Sequence, residues 1–283
     1  MQPRISPIES PATSLNASPL SELRAQVCAG PPYAPSFLAL LQDDPRAGAR
    51  QLYERCVRRS DRAAREEERA REMMRFEEEA RANGFTAVAG VDEAGRGPLA
   101  GPIAAAAVVL AEPVPGLNDS KQLTAEERDE LFEILHQGAH RIGVAVIPPE
   151  RIDADGLQNA NYAAMAEAAG RIDPPPDFLL VDGFQIPGCP IPQKRIVKGD
   201  CRSQSIAAAS VIAKVTRDRI MYKLDQECPG YGFARHKGYA TQEHLDALAR
   251  LGPSPAHRRS FAPIAEQCEQ MDLDIESSAG GPA

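Results

Sequence analysis

Tryptophan is absent from this chain of 283 residues, and aromatic residues make up only 5% of it. A core without large rings must rely on small and aliphatic side chains, and a hydrophobic share of 43% suffices for one large domain with extensions or for two small ones. Long apolar runs are missing too. None approaches the roughly 20 residues that cross a bilayer, so no membrane association is expected. The first residues set Pro3, Pro7, Pro11 and Pro19 among serines and lack the apolar centre of a secretory signal, which leads to the expectation of a cytoplasmic protein. No Cys-x-x-Cys pair occurs among Cys28, Cys56, Cys189, Cys201, Cys228 and Cys268. That excludes the usual zinc motifs and a disulfide framework, and free thiols in a reducing compartment are expected.

Positive charge is also in deficit. The net charge of -8 argues, taken as a sum, against a nucleic-acid partner. Its distribution argues otherwise, because ten Lys or Arg stand against four acids between Lys194 and Lys237. The end of that stretch, Tyr231-Gly232-Phe233-Ala234-Arg235-His236-Lys237-Gly238-Tyr239-Ala240, interleaves basic and aromatic residues as stacking on a base or sugar requires. On its own residues, Tyr239 would pass equally for surface packing.

What the chain does have is an unusual stretch from Gly90 to Pro102, in which Asp92 and Glu93 end one apolar run, Gly95-Arg96-Gly97 makes a turn, and a second apolar run follows. Phe85 to Val91 reads as a buried strand and Ile103 to Leu110 as its antiparallel partner. Neighbouring strand residues point to opposite faces, so two acids share a site only where the pleat ends. The turn at Ala94-Gly95 is expected to free Glu93 for that purpose. Gly95 and Gly97 leave backbone N-H groups uncovered for an anionic or sugar-phosphate backbone, and Arg96 between them can reach a phosphate or a hydroxyl. A bare Asp-Glu pair capping its own turn is the alternative; the order of acids, glycines, arginine and prolines over thirteen residues favours a site.

The same logic recurs at Phe178-Leu179-Leu180-Val181-Asp182-Gly183, a strand-length apolar run closed by one acid and a glycine. Runs of this kind are buried on both faces, and an acid at their carboxyl end belongs to the usual ligand crevice of an open α/β sheet. Arg141 to Ile147 reads as a third strand and Lys194 to Val197 as a fifth. Between them, Glu150 to Ala169 reads as one helix. Asp200 precedes a long helix starting near Ser203 or Ser205, where the macrodipole favours an ionised acid. Asp218, inside that helix between Arg217 and Arg219, suits an ion pair better. Asp92, Glu93, Asp182 and Asp200 converge if the sheet places these ends on one edge. Acids that close repel one another, so the cluster calls for cations, and oxygen ligands without His or Cys favour Mg²⁺ or Mn²⁺. Two such ions about 3.5 to 4 Å apart serve phosphodiester hydrolysis.

From about Gly84 to Ile264 the chain resembles the type 2 ribonucleases H, specifically the bacterial ribonuclease HII family. The opening stretch, Leu117-Asn118-Asp119-Ser120-Lys121, Leu180-Val181-Asp182-Gly183, Lys198-Gly199-Asp200, Ala207-Ala208-Ala209-Ser210 to Arg219 and His236-Lys237-Gly238-Tyr239 carry the likeness, in the family's order. The resemblance implies a ribonuclease H-like α/β fold, a five-stranded mixed sheet flanked by helices. It implies hydrolysis of the RNA strand of RNA-DNA hybrids and incision 5' of single ribonucleotides in duplex DNA. Its substrate contacts fall on Gly95, Arg96 and Gly97 for the 2'-OH, on Ser120 and Lys121, on Lys198 and Arg202, and on Tyr239 against the deoxyribose beyond the ribonucleotide. Asp119 reads as a turn residue, and Arg258 and Arg259 as phosphate contacts.

Residues 1–45, rich in Ser, Pro and Ala, read as a disordered arm, and 46–83 as a charged helical extension with opposite charges four apart, Glu77/Arg81 among them. The catalytic domain is then 84–264, with C-terminal helices, and 265–283 an acidic tail. Within the tail, Gln270 to Ile275 is similar to peptides that dock on the replication sliding clamp. A monomer is expected. A ribonuclease HIII-like nuclease and a non-catalytic hybrid-binding module are the alternatives; the first would carry an N-terminal domain of mixed strands, and the second has no need of four acids.

Overall fold

The computed structural model describes residues 18–262 and 264–266, and the tail segment Gln270 to Ile275 lies outside them. Two compact units divide at Glu68. An unstructured arm is expected over residues 1–45, yet two helices occupy its described part, α1 (Leu20–Ala29) and α2 (Pro35–Asp43), followed by α3 (Ala47–Glu72). Leu20, Leu23 and Val27 recur at helical spacing and pack with Leu41 on Ala49, Leu52 and Cys56 of α3. Gly48 admits this packing, because a Cβ there would lie 3.0 Å from Leu20 Cδ1. The Ser and Pro content between these positions hides an apolar stripe that only becomes a core when three helices meet.

The expected single helical extension also breaks. After α3 the chain turns at Met73 and Met74, both buried among residues of the sheet layer, and resumes as α4 (Arg75–Ala82). Glu77 is not on a solvated face. It is 1% exposed, and its Oε1 accepts from Ser203 Oγ at 2.6 Å, Ser205 Oγ at 2.6 Å and Ser205 N at 2.9 Å.

The second unit is built on β1 (Val88–Ala94), β2 (Ile103–Val109), α5 (Ala125–Gln137), β3 (Arg141–Ile147), α6 (Pro149–Asp155), α7 (Leu157–Gly170), β4 (Phe178–Asp182), β5 (Gln193–Ile196), α8 (Gln204–Glu227), the short α9 (Phe233–His236) and α10 (Gln242–Leu251). The sheet order is β3-β2-β1-β4-β5, with β3, β2 and β1 antiparallel and β1, β4 and β5 parallel. The helix expected over 150–169 is split at Gly156, whose φ of 78° ends α6.

One face of the sheet packs Ala89, Val91, Ile103 and Ala105 against Ala160, Ala164, Met165 and Ala168 of α7. The other packs Ala106 and Val108 against Ala207, Ala208, Val211 and Ile212 of α8. Small residues bring the layers close: a Cβ at Gly90 would lie 2.1 Å from the Ser205 carbonyl carbon, so the N-terminus of α8 lies directly on β1. The core is alanine and aliphatic, as the absence of Trp requires.

Candidate active site

β1 and β4 are paired in parallel from Val88↔Phe178 to Val91↔Val181, which sets Asp92 level with Asp182 at the ends of adjacent strands. β1 outruns its partner, and Asp92 and Glu93 are both within the strand, paired with Ala106 and Ala105 of β2. The pleat therefore does not end before Glu93. The two acids reach one cavity because β4 stops at Asp182 and leaves that edge of β1 uncovered.

The cavity, about 300 Å³, is lined by Asp92, Glu93 and Asp182, by Gly95, Arg96 and Gly97, and by Ser120, Lys121 and Tyr239, with Lys214 and Arg217 completing the wall. Asp200 is not in its lining. It sits on a 3-10 turn (Gly199–Cys201), 7% exposed, with Lys121 Nζ 3.8 Å from its Oδ2. Asp182 ties this turn to the strand end, since its Oδ1 accepts from Gly199 N at 2.7 Å. Asp119 is brought to the same place: it caps its turn as expected, accepting from Lys121 N at 2.9 Å, and its carboxylate, that of Asp200 and the Cys201 thiol lie within 4.8 Å of one another.

Asp92 is 7% exposed. Burial pushes its carboxyl well above the usual range, and Glu93, Asp182 and, least, Asp200 push the same way. Glu93 is raised by burial and by Asp182 against the opposing pull of Arg96, and Asp200 by burial, Asp119 and Asp182 against Lys121. Arg96 reaches Glu93 Oε1 at 3.4 Å, but Glu93 Oε2 is buried with no hydrogen-bond partner. A buried orphan oxygen beside a buried, unpaired carboxylate is what hard divalent cations fit.

The Gly95-Arg96-Gly97 turn is held from behind. Arg258, fully buried, donates to the carbonyls of Gly101 at 2.9 Å, Arg96 at 2.9 Å and Gly95 at 2.5 Å. It is a scaffold for the turn rather than the expected phosphate contact; Arg259 is exposed. Arg217, 1% exposed, donates to Pro102, Ala100 and Lys237 carbonyls at 3.0, 3.1 and 3.0 Å. Gly95, with φ 98°, lies against it: a Cβ there would be 2.1 Å from Arg217 Nε. Arg96 is aimed by Gln158 Oε1 at 3.0 Å and lies 4.8 Å over the Phe184 ring. Gly97 faces Tyr239, whose Cε1 would be 3.6 Å from a Cβ at that glycine.

Of the twelve sequence-predicted residues, nine line the cavity and three, Asp200, Lys198 and Arg202, do not. Lys198 and Arg202 stand furthest from the expectation. Both are exposed beside the Asp200 turn, and Arg202 is engaged with the Val197 carbonyl at 3.1 Å and over the Phe76 ring at 5.3 Å. Asp218 pairs with Lys214 at 2.7 Å, the expected ion pair. Gln158 and Arg217 escape a reading by motif, as do the scaffold role of Arg258 and the closeness of Asp119 to Asp200, because nothing local distinguishes a residue that holds a turn from one that faces solvent.

The sequence model of the family described as Ribonuclease HII matches residues 89–264, and that described as Ribonuclease HII N-terminal domain matches residues 22–81. Ribonuclease HII of Geobacillus kaustophilus is 50% identical, over 80% of this chain and 88% of the relative. That of Geobacter metallireducens is 52% identical over 69% and 93%. Among solved structures, the PCNA:RNase HII complex from Archaeoglobus fulgidus aligns with a TM-score of 0.54 and 26% identity, covering 62% of this chain and 95% of that one.

Proposed function

The chain belongs to the ribonuclease HII family and is a ribonuclease H endonuclease; from that premise we propose that it cleaves the RNA strand of RNA-DNA hybrids, and cuts 5' of single ribonucleotides in duplex DNA, with two divalent ions. Asp92, Glu93 and Asp182, on the cavity wall, would hold one Mg²⁺ or Mn²⁺, and Asp200, on the adjoining turn, would with Asp92 help hold the second. When bound, such a pair supplies an activated water and stabilises the leaving 3' oxygen. The observation that carries this reading is the buried Asp92 with no cationic contact, next to the orphaned Glu93 Oε2, in the wall of an open cavity.

The chain's own residues orient the substrate. The exposed backbone of Gly97, with Gly95 behind it in the cavity wall, meets the 2'-OH, and the Arg96 guanidinium, held by Gln158 and Phe184, approaches the same sugar or its phosphate. Ser120 and Lys121 receive a phosphate on the opposite wall. The half-exposed Tyr239 ring, beside Gly97, packs on the following deoxyribose and so senses an RNA-to-DNA junction. Lys198 and Arg202 meet the backbone outside the cavity. The archaeal relative is solved with PCNA, and the resemblance of Gln270 to Ile275 to docking peptides extends that partnership to the bacterial clamp. A calorimetric titration with the clamp that is unaltered by Gln270→Ala with Leu273→Ala would remove it.

Incubation with a duplex holding one ribonucleotide tests the whole. Cleavage is expected with Mg²⁺ or Mn²⁺ and not with EDTA. Asp92→Asn should abolish it while the duplex still binds, and Asp92→Asn cutting at the wild-type rate would end the proposal.

A further inference from the structure

Three histidines lie clustered behind the Tyr239 loop, outside the cavity, with His236 stacked on His244 and His257 tilted against it. His236 and His244 are 4.5 Å apart at their ring centres, and His244 and His257 are 5.2 Å apart. His244 is 0% and His257 2% exposed. Their protonation pattern follows from obligate donors. The Ser254 backbone N-H donates to His257 Nδ1 at 2.9 Å. The Ser254 hydroxyl, whose oxygen accepts from Ala256 N at 3.3 Å, lies 2.8 Å from the same nitrogen with its proton free to face it. Nδ1 is therefore an acceptor and the ring proton is on Nε2. His257 Nε2 is 3.0 Å from His244 Nε2, which must then accept, leaving the His244 proton on Nδ1. His244 Nδ1 is 2.9 Å from the Tyr239 carbonyl, where that proton is donated. His236 is fixed in the same way: Gly238 N-H donates to its Nδ1 at 3.2 Å, so its Nε2-H donates to the Tyr231 carbonyl at 2.8 Å.

The backbone on either side of the ring is pinned as well. Tyr239 N donates to the His236 carbonyl at 2.9 Å, Leu99 N to the Gly238 carbonyl at 2.8 Å, and Thr241 N to the Tyr239 carbonyl at 2.8 Å. Lys237 and Gly238 have φ of 52° and 82°, and a Cβ at Gly238 would lie 2.5 Å from the Ala100 carbonyl oxygen. Left-handed backbone at two consecutive residues persists only where the surroundings over-determine it.

We infer that Ser254, His257 and His244 form a one-way hydrogen-bond relay, of fixed tautomers, whose function is to set the position of the Tyr239 ring and thereby the preference for a single ribonucleotide over a continuous hybrid. His244 and His257 are positioning residues. The inference rests on the reading of Tyr239 as the junction sensor. Burial holds both imidazoles below the ordinary histidine range, His257 at about 4, which keeps the relay neutral at physiological pH.

Two measurements separate this inference from that reading. In ¹⁵N NMR of the full-length protein at neutral pH, His244 should carry its proton on Nδ1, and His257 and His236 theirs on Nε2. Opposite tautomers, or an imidazolium at His244 or His257, would overturn the relay. For cleavage, an Asn amide nitrogen falls near the place of a histidine Nδ1 and a Gln amide nitrogen near that of Nε2. His244→Asn should therefore keep the donor to the Tyr239 carbonyl but lose the link to His257, lowering the ratio of single-ribonucleotide incision to hybrid cleavage about threefold, while His244→Gln and His244→Ala lower it about tenfold, the scale of a sub-ångström misplacement. Rescue by Gln rather than Asn, or the same ratio in all three, would overturn it. If the tautomers are as assigned but Tyr239→Ala leaves the ratio unchanged, the junction reading fails, and the claim on selectivity with it.

Discussion

Asp92 should be worth more to catalysis than the metal-free fold can comfortably bear. It is 7% exposed, touches no cation, and is pushed toward its neutral form by burial and by Glu93 and Asp182. Two carboxylates at the roughly 4–6 Å over which such pairs act repel by about 3 kcal/mol at an effective dielectric constant of about 20. With Lys121 and solvent offsetting part of this, Asp92→Asn is expected to stabilise the metal-free protein by about 2 kcal/mol, or about 4–8 °C in Tm. The Asn oxygen keeps the shape and the acceptor. The sign also predicts a pH dependence. A carboxyl raised on folding favours the native state when protonated, a contribution present below its unfolded value and lost as pH rises through the raised folded value. The gap between variant and wild type in EDTA should thus be small near pH 4 and widen toward pH 8. Millimolar Mn²⁺ should then stabilise the wild type and not the variant. Differential scanning calorimetry in EDTA and in Mn²⁺ checks all three. A variant no more stable than wild type at pH 8 in EDTA, or a gap that does not change with pH, would refute the charge-repulsion argument.

Other consequences are local. Glu77→Ala removes the acceptor of three hydrogen bonds at the start of α8, and a urea titration should show a loss of about 2–4 kcal/mol, with kcat falling because the Asp200 turn adjoins those serines. Gly95→Ala drives a Cβ into Arg217 and should reduce kcat/KM about a hundredfold. Gly183→Ala, with φ 64° but open space around it, should cost about 1–2 kcal/mol of stability and leave cleavage near normal. Arg258→Lys cannot reproduce the planar fork that serves Gly95, Arg96 and Gly101, so single-turnover cleavage should fall as far as in Arg258→Met.

The parts of the site that were legible in the sequence are those where one residue type does one thing. Asp92, Asp182 and the Gly95-Arg96-Gly97 turn each follow an apolar run of strand length, and the run both folds and announces them. Asp200 is legible as an acid just before a helix, but its place on a turn outside the cavity lining, tied to the strand end through Asp182, is not. Glu93 was assigned to the cavity for the wrong local reason, because the shortness of β4, and not the end of β1's own pleat, opens its way. Glu77, expected on a charged helix, and Arg258, expected at a phosphate, are both buried, since a charged residue in a charged run carries no local sign that three distant partners will bury it. The helices over 20–43 were missed because their apolar positions are few and acquire partners only in α3.

Taken together, the buried charges explain one another. Among the described residues, Arg217 and Arg258 hydrogen-bond to carbonyls only, and the Arg258 guanidinium also lies 5.1 Å from the Phe261 ring centre. Carbonyls satisfy guanidinium N-H groups without cancelling the charge, whereas a carboxylate partner would neutralise it. Burial, with Arg217 nearby, pulls Arg258 down to about 9, so it remains cationic at neutral pH. Across the same cavity wall, Asp92 has no cation of its own. Buried cations without acids and buried acids without cations are each unfavourable alone, and the two guanidinium groups behind the Gly95-Arg96-Gly97 turn offset part of the acids' repulsion of an incoming phosphate. Pairing either arginine with a carboxylate would make the scaffold more stable and the cavity more hostile to a polyanion.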